Sequence, residues 1–114
     1  MITRYENTGR LSKVLVANGF AFLSGLTAKD RGGDVAQQTK DILAQIDAYL
    51  AMAGTDKTKI VNANIWLKDV GDFNTMNGAW EAWVDRDAPP ARATVESRLA
   101  ADDILVEIQV QALV

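Results

Sequence analysis

The segment Ile60–Leu67 constrains the fold most. It alternates strictly, with Val61, Ala63, Ile65 and Leu67 on one side and Ile60, Asn62, Asn64 and Trp66 on the other. A period of two is that of a strand with two unlike faces. Helical patterns flank it. Upstream, Asp34-Val35-Ala36-Gln37 has the spacing of a capping box, and Val35, Ile42, Ile46 and Leu50, with Leu43 beside them, recur on one helical face as far as Gly54. Downstream, Gly71-Asp72 opens a second helix whose apolar stripe runs Phe73, Met76, Trp80, Trp83 and Val84, with Asn77 at its edge. Asp34 and Asp72 are the expected caps.

Further strands are expected at both ends of the chain. Leu11–Gly25 holds two β-rich runs around Asn18-Gly19, a pair that tolerates the positive φ of a type I′ hairpin turn. After Pro89-Pro90, strands are expected over Arg92–Leu99 and Ile104–Leu113, joined by Ala100–Asp103. The predicted order is β-β-α-β-α-β-β in one domain over 1–114, an α+β sandwich with both helices on one sheet face. The opposite face, with Asn62, Asn64, Trp66, Glu107, Gln109 and Gln111, is too polar for a core and too apolar for open water. That composition predicts a subunit interface.

The 114 residues contain no cysteine and no histidine. This removes disulfides, thiol nucleophiles, Cys/His metal sites and Ser-His or Cys-His catalysis. No metal site or cofactor is predicted. A net charge of −3 without a basic run argues against nucleic acid as the main partner. No segment reads as a signal peptide or a membrane span, so a cytoplasmic protein is expected.

The residues left to carry chemistry concentrate in the last quarter. Pro89 and Pro90 fix the direction in which Arg92 is presented, and arginine grips a planar carboxylate through two parallel hydrogen bonds. Glu107 follows fifteen residues later in the final strand. A hairpin centred between Ala101 and Asp102 would set Glu107 opposite Glu96 and diagonal to Arg98. Arg92 would face Gln111 on the same side, roughly 13 Å from Glu107. Without histidine, the lone Ser24 at a strand end is not read as a nucleophile, and Trp66, Trp80 and Trp83 read as core or interface anchors.

Five stretches, in order and with matching spacing, resemble the RidA (YjgF-type) imine/enamine deaminase family. They are Leu23-Ser24-Gly25, Gln38-Thr39, the run Asp69–Asn77, Pro90-Ala91-Arg92 and Val106-Glu107-Ile108. Ile65-Trp66-Leu67 and Trp80–Val84 look most like the short YoaB-type members. The resemblance implies a chorismate-mutase-like fold, a homotrimer with a central β-barrel, and clefts between subunits. It implies cofactor-independent hydrolysis of reactive imines or enamines such as 2-aminoacrylate to 2-keto acid and ammonia. In that reading Arg92 binds the substrate carboxylate, Glu107 manages the attacking water, the Thr94 backbone helps hold the ligand, and Ser24 and Asn77 line the pocket. Many deaminases carry a tyrosine where this chain has Leu11, which makes the pocket more apolar there. The alternative is a trimeric protein that binds small keto or amino acids in the same cleft without turnover.

Overall fold

The computed structural model describes residues 1–114. Six strands and two α-helices follow one another: β1 (Ile2–Asn7), β2 (Ser12–Ala17), β3 (Phe20–Leu23), α1 (Val35–Met52), β4 (Ile60–Leu67), α2 (Phe73–Trp83), β5 (Ala91–Glu96) and β6 (Val106–Leu113). The β2–β3 turn forms as its sequence dictates. Asn18 and Gly19 take φ of +53° and +81°, and Ala17 pairs with Phe20. Likewise Asp34 and Gln37 bond reciprocally at the start of α1, and Gly54 takes φ +82° just past its end.

All six strands form one sheet in the order β1-β2-β3-β6-β4-β5. Neighbours are antiparallel except β4 and β5, which run parallel because α2 carries the chain back between them. Both helices cover one face. There Ala63, Ile65 and Leu67 of β4 and Val106, Ile108 and Val110 of β6 join Ile42, Ile46 and Met76 in a continuous core. No helix is long and apolar enough to cross a membrane.

Four expectations are corrected. A strand precedes the predicted first one. β1 is an edge strand in which only Tyr5 is half-buried, so it lacks the apolar alternation that marks an inner strand. The last two strands do not form a hairpin, since β6 inserts between β3 and β4 while β5 takes the outer edge. Composition explains the exchange. β6 buries Val106, Ile108, Val110 and Ala112, whereas β5 buries nothing fully and carries Arg92, Thr94 and Glu96 on the side its inner neighbour packs. Polar side chains are tolerated at an edge, and Pro89-Pro90 suits one. In β4, a register shift between Ile60 and Asn62 turns Ile60 inward and leaves Val61 exposed. Finally, Asp72 makes no capping bond; Asp69 instead accepts from Gly71 N in the 3-10 turn before α2.

Candidate active site

Arg92 lies opposite Ala63 in the β5–β4 register, which places it on the helix side of the sheet. Its guanidinium carbon sits 5.3 Å from the Trp80 ring centroid and 5.9 Å from that of Phe73. Residues 73 and 80 are two helical turns apart on α2, so one face presents both rings. No carboxylate comes within 4.0 Å of Arg92. Burial lowers the guanidinium's proton affinity and the charge of Glu81 opposes that shift; the group remains a cation. A cavity of about 260 Å³ opens here, lined by Asn77, Trp80, Pro89 and Arg92 among others.

Thr94 follows on the same side of β5. Its hydroxyl is buried and has no hydrogen-bond partner. Ser97 N donates to Leu67 O at 2.8 Å, so by alternation the N–H and C=O of Thr94 and Arg92 point away from β4, towards the free edge. The outer edge of β5 thus offers a cation, backbone donors and an unsatisfied hydroxyl. That set suits a carboxylate.

Glu107 occupies the other face, opposite Trp66. It is half-buried, forms no ion pair or hydrogen bond, and loss of solvation raises its pKa above the usual carboxylate range. Room for its carboxylate comes from Gly25. A Cβ built there would overlap Glu107 Oε2. Gly25 is held in place from both sides. Leu26 and Ile108 exchange backbone bonds of 2.9 and 3.1 Å, Ser24 N donates to Lys13 O, and Ser24 Oγ donates to Ser12 O at 2.7 Å. On the same face a cavity of about 430 Å³ has walls that include Leu11, Ser24 and Gln109, the last two being near neighbours in sequence of Gly25 and Glu107.

The structure therefore divides the sequence-derived residues into two groups. Arg92, Thr94 and Asn77 gather at the β5 edge on the helix side. Glu107, Ser24 and Leu11 gather on the open face. Arg92 and Glu107 are not on one side of a hairpin. Two interstrand spacings of ~4.8 Å and three residues of ~3.3 Å put their Cα atoms roughly 14 Å apart, with side chains on opposite faces. Nor are Glu96 and Arg98 neighbours of Glu107 in the ladder, because Glu96 pairs with Leu67 and accepts from Val70 N at 2.9 Å. The sequence reading assigned no site role to two contributors, Gly25 as the seat of Glu107 and Phe73 with Trp80 as the platform under Arg92. The seven-residue spacing of the two aromatics was a usable signal; nothing local marked the approach of Glu107 to Gly25.

This is a two-layer α+β protein that offers an unpaired cation at one sheet edge and an unpaired carboxylate on its uncovered face. The family model described as Endoribonuclease L-PSP matches residues 1–114. A RutC family protein of Haemophilus ducreyi is 41% identical over 114 residues, covering 100% of this chain and 97% of its own. The RutC family protein YoaB of Escherichia coli is 38% identical over 113 residues, 99% of this chain and 98% of that one. The crystal structure of NMB1025, a YjgF-family member from Neisseria meningitidis, superposes with a TM-score of 0.96 at 46% identity, covering 99% of this chain and 94% of that one. The chain belongs to this L-PSP/RutC/YjgF family, the RidA type, with YoaB among its similar members.

Proposed function

We propose that this protein is a cofactor-independent hydrolase of 2-imino acids and their enamine tautomers, assembled as a homotrimer whose sites lie between copies. The observation that carries the reading is Glu107, a half-buried carboxylate seated on Gly25 with no partner in its own chain. Such a group is suited to taking a proton from water. Arg92 supplies the complementary cation on the opposite side of the sheet. One protomer does not turn both towards one ligand, so a second copy has to lay its β5 edge against the open face. That face exposes Phe22, Val95 and Leu113 between its polar residues, a composition that suits an interface.

In this mechanism the Arg92 fork holds the substrate carboxylate, with Thr94 hydroxyl and backbone N–H beside it. An enamine first takes a proton at its β carbon and gives up one from its nitrogen to become the imine. Glu107 of the adjoining copy accepts a proton from water as the oxygen adds to the imine carbon, and passes that proton to the nitrogen. The carbinolamine's O–H proton then passes to the amino nitrogen as the C–N bond breaks and the C=O bond forms, which releases ammonia. The products are one 2-keto acid and one ammonia. Imines hydrolyse unaided, so orientation plus proton transfer suffices, the latter contributing ~10²–10⁴-fold.

The family description names an endoribonuclease. The net charge of −3 and the lack of histidine support the small-molecule reading for this chain, since RNA binding draws on basic surface. A binding protein without turnover is the second reading; Leu11 favours it by supplying no hydroxyl to the cavity wall. The test generates imines in situ with an amino-acid oxidase and follows their disappearance. Hydrolysis that wild type accelerates and Arg92→Ala does not is the expected result. Equal rates for both, with Arg92-dependent binding of 2-oxobutyrate by calorimetry, would instead establish the second reading.

A further inference from the structure

The cavity beside Glu107 has an amphipathic build that the proposed chemistry does not by itself require. It reaches that carboxylate through the near sequence neighbours of Gly25 and Glu107. Ser24 precedes Gly25, on which Glu107 rests, and Gln109 is the next residue along the same face of β6. Its floor is apolar: Leu15 and Phe22 pair across β2 and β3, and Leu11 stands at the side. Its rim is cationic. Arg4 lies beside Leu15 in the β1–β2 register, and Arg10 projects from the turn between those strands.

Two features set these arginines apart. Neither has a carboxylate within 4.0 Å, although the chain carries more acidic than basic residues. The turn that presents Arg10 is also tightly built. Asn7 Oδ1 accepts from Gly9 N at 2.8 Å, Thr8 N donates to Leu11 O at 2.8 Å, and Thr8 Oγ1 lies 3.3 Å from both Arg10 N and Leu11 N. Gly9 takes φ +88° there. An apolar floor bordered by two unpaired guanidinium groups matches an aliphatic substituent that ends in a carboxylate.

We infer that this cavity is the side-chain subsite and that it selects imines of dicarboxylic amino acids. The inference rests on the proposed imine hydrolysis. A substrate with two negative charges has to approach the Glu107 carboxylate, and Arg4 and Arg10 offset that repulsion while fixing the distal carboxylate. The α-carboxylate remains with Arg92, so the imine carbon is held between the two anchored ends.

The experiment compares imines released by amino-acid oxidases from aspartate and glutamate with those from alanine and leucine. Wild type is expected to show the higher kcat/KM on the acidic imines. The double variant R4A/R10A is expected to lower the acidic-to-apolar ratio about tenfold or more, as loss of a charge-assisted hydrogen bond does; R4K/R10K, which keeps the charge, recovers part of it. A wild-type preference for apolar imines, or an R4A/R10A ratio equal to that of wild type, overturns the subsite. If no imine of either class is hydrolysed, the catalytic reading falls instead. Calorimetry then decides the subsite alone: it stands if 2-oxoglutarate binds more tightly than 2-oxobutyrate and R4A/R10A erases the difference, and falls otherwise.

Discussion

The carboxylate of Glu107 rests against the Cα of Gly25, in space that any side chain at position 25 would occupy. Because the group in the way is the far end of a flexible side chain, Gly25→Ala is expected to displace Glu107 without disturbing the sheet. A misplacement of about 1 Å can cost ~10²-fold in rate. The expected outcome is a loss of about that size in kcat for imine hydrolysis with the melting temperature preserved. Wild-type kcat in Gly25→Ala would contradict a catalytic Glu107.

The raised pKa of Glu107 predicts the acid limb of the pH profile. Desolvation favours its neutral form, so on acidification the carboxylate is lost at a higher pH than an ordinary glutamate near ~4.3. Only the carboxylate takes the water's proton. Consequently kcat/KM should rise with pH through an apparent pKa above that of a free glutamate and then level off. Glu107→Gln should be slower by about 10²–10⁴-fold and lack the limb. A limb that survives in Glu107→Gln assigns it to another group.

Phe73 and Trp80 hold Arg92 by their ring faces. Trp80 is 6% exposed and belongs to the core, so Phe73, 38% exposed, is the informative position. A cation–π contact at an exposed site contributes ~0.5–1 kcal/mol. Phe73→Leu should therefore raise KM about 2–5-fold with kcat little changed, and Phe73→Tyr should restore it. A fall in kcat at constant KM would show that the rings act on the chemistry rather than on carboxylate binding.

Gln38 is a structural counterpart, buried to 1% exposure on α1. Its amide nitrogen reaches Arg31 O, Gly33 O and Asp103 O at 3.3, 3.2 and 3.0 Å, and its oxygen accepts from Leu105 N at 3.0 Å. It ties the loop before α1 to the entry of β6. Gln38→Ala leaves those groups unpaired and should destabilise the fold by about 2–3 kcal/mol in urea titrations. Activity per folded molecule should persist.

What was legible in the sequence had local causes. Asn18-Gly19 announced its turn, Asp34 and Gln37 their cap, and Ile42, Ile46 and Leu50 their buried face, because each depends on residues a few positions apart. Strand order did not. Whether β5 or β6 sits beside β3 depends on which strand can bury a full face, and an adjacent-hairpin assumption put Arg92 and Glu107 on the same side. β1 was illegible because an edge strand exposed on both faces carries no period-two apolar signal. Arg92, Glu107 and Asn77 were singled out by the proline turn, the helix-stripe edge and the family resemblance, none of which says which face of the sheet each one occupies. Gly25 and the role of Phe73 emerged only when distant segments were seen together.

The central claim is catalysis at a site built from Arg92 of one copy and Glu107 of another, and a subunit-mixing experiment tests it most directly. Arg92→Ala and Glu107→Gln are each expected to be inactive as homo-oligomers. Unfolded together in equal amounts and refolded, they should regain about a quarter of wild-type activity, since a mixed site draws its arginine and its carboxylate independently. No recovery from two correctly refolded, co-assembled variants would contradict the account.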